Sequence, residues 1–345
     1  MRKLLFLFLF IGLLFAGCGK KSDNSNSKNN LGNAVDTSNI KTSPVENPNQ
    51  KFELKYKFKK GVDYHYRMAS FTKNNQSIIA DSSYYQMMKQ STIYLMNVKL
   101  KNTNKDSTLN LTCKVTSINF ESEVNGKFYR YQSGVTKDSA DLGKFAEYAA
   151  LINNPFEVSI KESGGIISIS NVDQIMNKFL ELKNLSKSFS TFQKVRLRQN
   201  IIEGSLKPLA INVFREMTPK TVAIDSSWSF QQPSMPFLIF TLNNTNTYKI
   251  NKLEKYKDDL VANIEAGLKT EIKGNTTYKQ GGAVFKFKEP QTSASGSIYF
   301  NITKGCIQKS NVETKADIFY TKEVPGKPKG SDTENITESN VVELL

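Results

Sequence analysis

The chain has 345 residues, of which 47 are Lys or Arg, 32 are Asp or Glu and one is His, giving a net charge of +15. The lone His65 excludes multi-histidine zinc sites and is the only residue that any histidine-dependent triad could use. No nucleic-acid-binding motif accompanies the positive charge, and in so Lys-, Asn- and Ile-rich a sequence lysine is the ordinary surface residue, so no nucleic-acid partner is expected.

Met1-Arg2-Lys3 is a short basic segment, and the apolar run from Leu4 to Phe15 ends in Ala16-Gly17-Cys18. Such a run is too short for a hydrocarbon core about 30 Å thick, which needs roughly 20 helical residues, and it has the form of a secretory signal peptide. Phe15-Ala16-Gly17-Cys18 resembles the lipobox of bacterial lipoproteins. The resemblance implies removal of residues 1–17 and acylation of Cys18. At about 0.8 kcal/mol per buried CH₂, two or more acyl chains hold a protein stably to a lipid bilayer. Gly19 stands where an Asp would retain an enteric lipoprotein in the inner membrane. An outer-membrane address in the cell envelope is therefore expected, with both the periplasmic side and the cell surface left open.

Residues 19–50 are rich in Asn, Ser and Lys and lack aromatic residues, so they bury too little to offset the entropy of ordering and predict a flexible tether with a reach of about 30 Å. Residues 51–322 then predict one β-rich domain. Phe52 to Phe58, Leu109 to Val115, Ala283 to Phe287 and Ile298 to Ile302 alternate at period two, with turn signals at Gly164-Gly165, Lys273-Gly274-Asn275 and Lys304-Gly305. A helical insert is predicted over about 139–216. Its helices run from Ser139 to Ile152, after an Asn171-Val172-Asp173-Gln174 capping box, from Thr191 to Ile202, and from Leu206 to Glu216 with Pro208 in the first turn. A weak echo between Thr92 to Ile118 and Asn246 to Ile272 suggests two similar halves. The expected fold is α+β: a long, curved antiparallel sheet, a half-barrel-like meander, carrying the helices on one face. Residues 323–345 open with Pro325-Gly326-Lys327-Pro328 and predict a disordered tail, of which Val341 to Leu345 is apolar enough to dock on the body.

The chemistry-bearing residues are few. No P-loop, dinucleotide fingerprint, EF-hand loop or nucleophile elbow is present, and no cofactor or metal is expected. Outside the cytoplasm Cys113 and Cys306 can pair, although two buried free thiols are the expectation, since Cys113 shares the apolar phase of Leu111 and Val115. Glu121 and Glu123 fall on one strand face and read as solvated, and Trp228 at a strand start reads as a core anchor.

Lys57-Phe58-Lys59-Lys60-Gly61, Asn154-Pro155-Phe156 before Gly164-Gly165, and Pro219 through Trp228 resemble a family of lipoproteins of the Bacteroidota defined only as a domain of unknown function. The residues point to a membrane-anchored protein that binds or scaffolds rather than catalyses. Its partner would be an envelope protein or a lipophilic ligand held between helices and sheet by Phe179, Leu182, Phe189 and Phe192 against Leu109, Leu111 and Val115. The alternative is an envelope hydrolase whose Ser, Lys or carboxylate groups meet only in the fold.

Overall fold

Period-two alternation gives each strand one face for a core and one for water, and the chain uses it repeatedly. The computed structural model describes residues 35–345 apart from 37 and 81, and the fold below is that of Asn39–Leu345. The signal peptide, Cys18 and most of the tether lie outside the described residues.

The first elements are β1 (Ser43–Pro44), β2 (Asp63–Ile79), β3 (Ser83–Thr103), β4 (Leu109–Val124) and β5 (Lys127–Gln132). The insert holds α1 (Ser139–Lys144), α2 (Ala146–Ala149), a hairpin of β6 (Phe156–Ile160) and β7 (Ile166–Ser170), α3 (Asp173–Leu182), α4 (Thr191–Ile201), a π-helical turn (Ile202–Leu206) and α5 (Lys207–Val213). Then follow β8 (Ser227–Gln231), β9 (Met235–Phe237), β10 (Phe240–Tyr256), β11 (Asp259–Gly274), β12 (Thr277–Gln280), β13 (Ala283–Phe287), β14 (Gln291–Asn301), β15 (Cys306–Glu323) and β16 (Gly330–Leu344).

The named strands join one antiparallel sheet in the order β1-β10-β11-β14-β15-β16-β2-β3-β4-β6-β7, with β8 and β9 on β10, β5 on β4, and the β12–β13 hairpin on β15. The path is open, running from one edge to the other. No described helix is long and apolar enough to cross a membrane.

The expected disordered tail is instead the strand at the centre of this sheet. β16 pairs from Ser331 to Leu344 with β2 and from Gly330 to Glu343 with β15. Its polar sequence hid it, because most of its polar side chains bond to neighbouring strands rather than face an apolar core. Asn74 Nδ2 donates to Glu334 at 2.6 Å, Gln76 Nε2 to Asp332 at 3.0 Å, and Asn335 Nδ2 to Asp317 at 2.6 Å. Only Val341 and Val342, each 1% exposed, carry the apolar signal of a buried strand.

Residues 51–58 show the predicted alternation, with Phe52, Leu54, Tyr56 and Phe58 buried, yet they form a strap across the core rather than a strand of the sheet. Phe52 exchanges backbone hydrogen bonds with Val222 at 2.8 Å, Tyr56 N–H donates to Glu162 O at 2.8 Å, and Lys57 N–H donates to Gly305 O at 2.9 Å. Each buried ring or Leu is worth about 1.5–3 kcal/mol in transfer free energy. The strap needs bare backbone on both sides. At Gly164, with φ +91°, a Cβ would stand 2.3 Å from Arg215 O and 2.5 Å from the Tyr56 ring, and at Gly305, with φ +65°, 2.4 Å from Lys57 Cβ.

The helices begin nearly where expected and differ in their ends. Asn171 does not cap α3: Val172 is the N-cap without a side-chain bond, and the working capping box is Ser190 with Gln193 at α4. α3 buries Ile175, Met176 and Leu180, so its inward stripe is rotated from the predicted one and leaves Phe179 and Leu182 half-buried. The two last predicted helices are one continuous rod through the π turn. Pro208 explains it: proline lacks the N–H and collides with the carbonyl four residues back, at Gly204, and the rod absorbs an extra residue there. α5 packs on β2, β7 and β16.

Candidate functional site

The far ends of β16, β2 and β3, away from the helices, carry a groove of about 360 Å³. Antiparallel register builds its floor from one face of three strands. Thr333 pairs with Ser77 and Ser77 with Tyr85; one step inward, Asn335 pairs with Asn75 and Asn75 with Met87. Gln76, Gln86 and the Asn125-Gly126 turn between β4 and β5 complete the lining. Asn125 and Gly126 both take positive φ, 50° and 78°, the requirement of a tight two-residue hairpin. Asn125 fixes the wall to the floor: its Oδ1 accepts from Met87 N–H at 2.9 Å, its N–H donates to Met87 O at 3.0 Å, and its Nδ2 donates to the Tyr84 hydroxyl at 3.2 Å.

Two features define the chemistry. In a chain that is 23% charged, none of the ten described residues lining the groove carries a charge. Amides and hydroxyls dominate, and these both donate and accept hydrogen bonds. Beside them Tyr85 is 70% exposed and Met87 40% exposed. The opposite face of the same strands is acidic but internally answered. Tyr320 donates to Asp332 at 2.9 Å, and Asn74 donates to Glu334, whose carboxyl is pushed up by burial and by the nearby Asp332 charge.

The described residues do not gather the suggested apolar set around one hollow. Leu109, Leu111 and Val115 lie on β4, buried at 5% exposure or less, and the space above the sheet is filled by rings, including Phe120 and Tyr148 stacked at 4.9 Å and Tyr56 against Phe300 at 5.3 Å. Phe179, Leu182 and Phe189 are half-buried, and Phe192 is 76% exposed. Phe179 borders a hollow of about 170 Å³, which lies among helices and has no β4 residue in its wall. Cys113 and Cys306 do not bridge: both are free, buried thiols among the described residues. They sit on β4 and β15, four places apart in the sheet. That is about 19 Å along it at roughly 4.8 Å per strand, where a disulfide needs Cα atoms within about 7 Å. Burial pushes the Cys306 thiol up to about 12.

The other singled-out residues are structural. His65 Nδ1 lies 2.8 Å from Asn97 Oδ1 on an exposed strand face, Glu121 pairs with Arg130 at 3.1 Å, and Trp228 stacks on Tyr248 at 5.4 Å. Sequence reasoning passed over the groove. Its one local signal was Asn125-Gly126, a hairpin turn pair; the rest arises only when three strands align.

Fold and groove together define a mostly antiparallel β protein with an uncharged, aromatic-edged surface groove. The chain belongs to a family of unknown function, DUF6263, whose model matches residues 106–307. No curated protein matches it. Among solved structures it is similar to one described as lipid–protein interactions in lipovitellin, at 12% identity and TM-score 0.42, covering 84% of this chain and 25% of that one. The chain thus spans about a quarter of the lipovitellin chain. Two Pseudomonas aeruginosa structures also match: OpdK with vanillate, at 6% identity and TM-score 0.17 over 80% of this chain and 98% of that one, and OccK2, at 6% and 0.20 over 84% and 100%. Likenesses this distant establish neither a shared fold nor a shared ligand.

Proposed function

We propose that this chain is a lipoprotein of the cell envelope, anchored in the outer membrane by acylated Cys18 and raised on residues 19–50, whose half-barrel-like sheet binds a neutral glycan in the groove of β16, β2 and β3. The observation that carries the ligand class is the uncharged amide and hydroxyl lining beside the exposed Tyr85 ring. A sugar offers hydroxyls that both donate and accept, matching Asn75, Ser77, Thr333 and Asn335, while its polarised C–H face suits the electron-rich face of an aromatic ring. None of the ten lining residues offers a charge to an ionic ligand, and the nearby Asp317 carboxylate is taken up by Asn335. The volume of about 360 Å³ suits one sugar ring and part of a second.

Isothermal titration of the full chain with neutral oligosaccharides of several linkages tests this reading. At least one should bind saturably, and Tyr85→Ala should weaken it about tenfold or more, the equivalent of about 1.4 kcal/mol. Absence of saturable binding across a broad neutral-glycan array, or an unchanged affinity in Tyr85→Ala, would overturn it.

A further inference from the structure

A second hollow, of about 170 Å³, lies among α2, α3, α4 and the π turn. Ala150, Leu151, Ile175, Phe179, Leu197 and Ile201 give it an apolar wall. Glu147 enters from α2, and its Oε1 is buried with no hydrogen-bond partner among the described residues. Leaving a buried carboxylate oxygen without a protein partner is costly, more so than leaving a neutral polar atom. Burial pushes this carboxyl above its ordinary value even though Lys183 pulls it down. The groups bordering the hollow other than Glu147 that can hydrogen-bond through side chains are Asn200 and Ser205, the latter placed there by the π turn ahead of Pro208. The cover is thin: among the described residues of α4 only Ile201 is buried, while Phe192 and Val195 face solvent.

We propose that this hollow is a binding site for a small apolar molecule bearing one ammonium head. The head would donate an N–H to Glu147 Oε1 and supply the opposite charge, and the tail would lie against Phe179, Leu197 and Ile201. Charge-assisted hydrogen bonds are about twice as strong as neutral ones, and an apolar wall beside them strengthens them further. The space equals about six waters at roughly 30 Å³ each, which an arylethylammonium ion fills and a diacyl lipid far exceeds.

The test is titration of the full chain with phenethylammonium, with 3-phenylpropionate as the anion of similar size and 2-phenylethanol as the neutral analogue, followed by NMR. The ammonium ion should bind saturably at one site per chain, the alcohol about tenfold more weakly, and the carboxylate not measurably. Glu147→Gln should cost the ammonium about tenfold, and Leu197→Trp should block it while glycan binding is unchanged. The comparison of three probes on the unaltered chain does not depend on either variant folding. Equal binding of cation and anion, or no saturable binding of the cation, would refute the site.

Discussion

The phenol of Tyr56 donates to the backbone carbonyl of Arg215 at 3.1 Å, although 159 residues separate them. This bond ties the strap to the end of α5, at the point where Gly164 gives room for the ring. The same phenol also lies 3.3 Å from the buried Val213 carbonyl, so Tyr56→Phe keeps the packing, removes both bonds and should lower the unfolding free energy by about 1–3 kcal/mol. Tyr56→Ala should lose about 3–5 kcal/mol through the added cavity. Urea midpoints decide it: a Tyr56→Phe chain as stable as the parent would mean that the strap is held by apolar contact alone.

Two glycines should respond in opposite directions. Gly164→Ala forces a methyl group to 2.3 Å from Arg215 O and should destabilise the fold severely. Gly204, in the π turn, has no positive φ, and a methyl group there would meet nothing within 4 Å, so Gly204→Ala should stabilise by about 0.5–1 kcal/mol. Thermal midpoints moving the same way in both variants would contradict the packing described for the strap and the rod.

Glu334 gives a pH dependence of known sign. Burial and Asp332 raise its folded-state value above the ordinary 4.5. The folded chain therefore keeps a proton that the unfolded chain releases, and stability is lost as pH rises from about 4.5 through the raised value. Glu334→Gln removes that loss and still accepts from Asn74. The variant-minus-parent difference in unfolding free energy should grow between about pH 4 and about pH 7. A difference that shrinks over this interval would count against a desolvated Glu334.

The anchor is tested apart from the fold. Metabolic labelling with a fatty-acid analogue should tag the parent chain, and Cys18→Ser should abolish the tag. Equal labelling of both chains would remove the lipoprotein reading.

Much of the sheet was legible because apolar residues at period two mark burial wherever a strand has one dry face, as from Leu109 to Val115. The same pattern from Phe52 to Phe58 gave the burial correctly and the pairing wrongly, since alternation records which side chains are covered and not what covers them. β16 was missed for the complementary reason. Its neighbours answer Asp332, Glu334 and Asn335 with hydrogen bonds, and a chain of such residues is indistinguishable in composition from a disordered one. The groove fared worse because Thr333, Ser77 and Tyr85 become neighbours only through register between distant strands. Whether rings pack solidly or leave a hollow between helices and sheet was not legible either: the number of rings was known, but not that Phe120 would stack on Tyr148 and Phe300 on Tyr56.

The pairing of β16 with β2, which joins residues 260 positions apart at Asn74 and Glu334, also sets an order of assembly. Neither β2 nor β15 can complete its ladder on that side until residues 330–344 have arrived, so in a chain emerging N-terminus first the β2 edge stays unsatisfied through nearly the whole of its synthesis or passage, and the β15 edge joins it only at the end. Contacts this remote are slow to close and leave intermediates exposed to misassembly. The sheet is therefore the product of a late event, in which one polar strand slots between two waiting edges, and a chain lacking that strand would keep both edges open to other molecules.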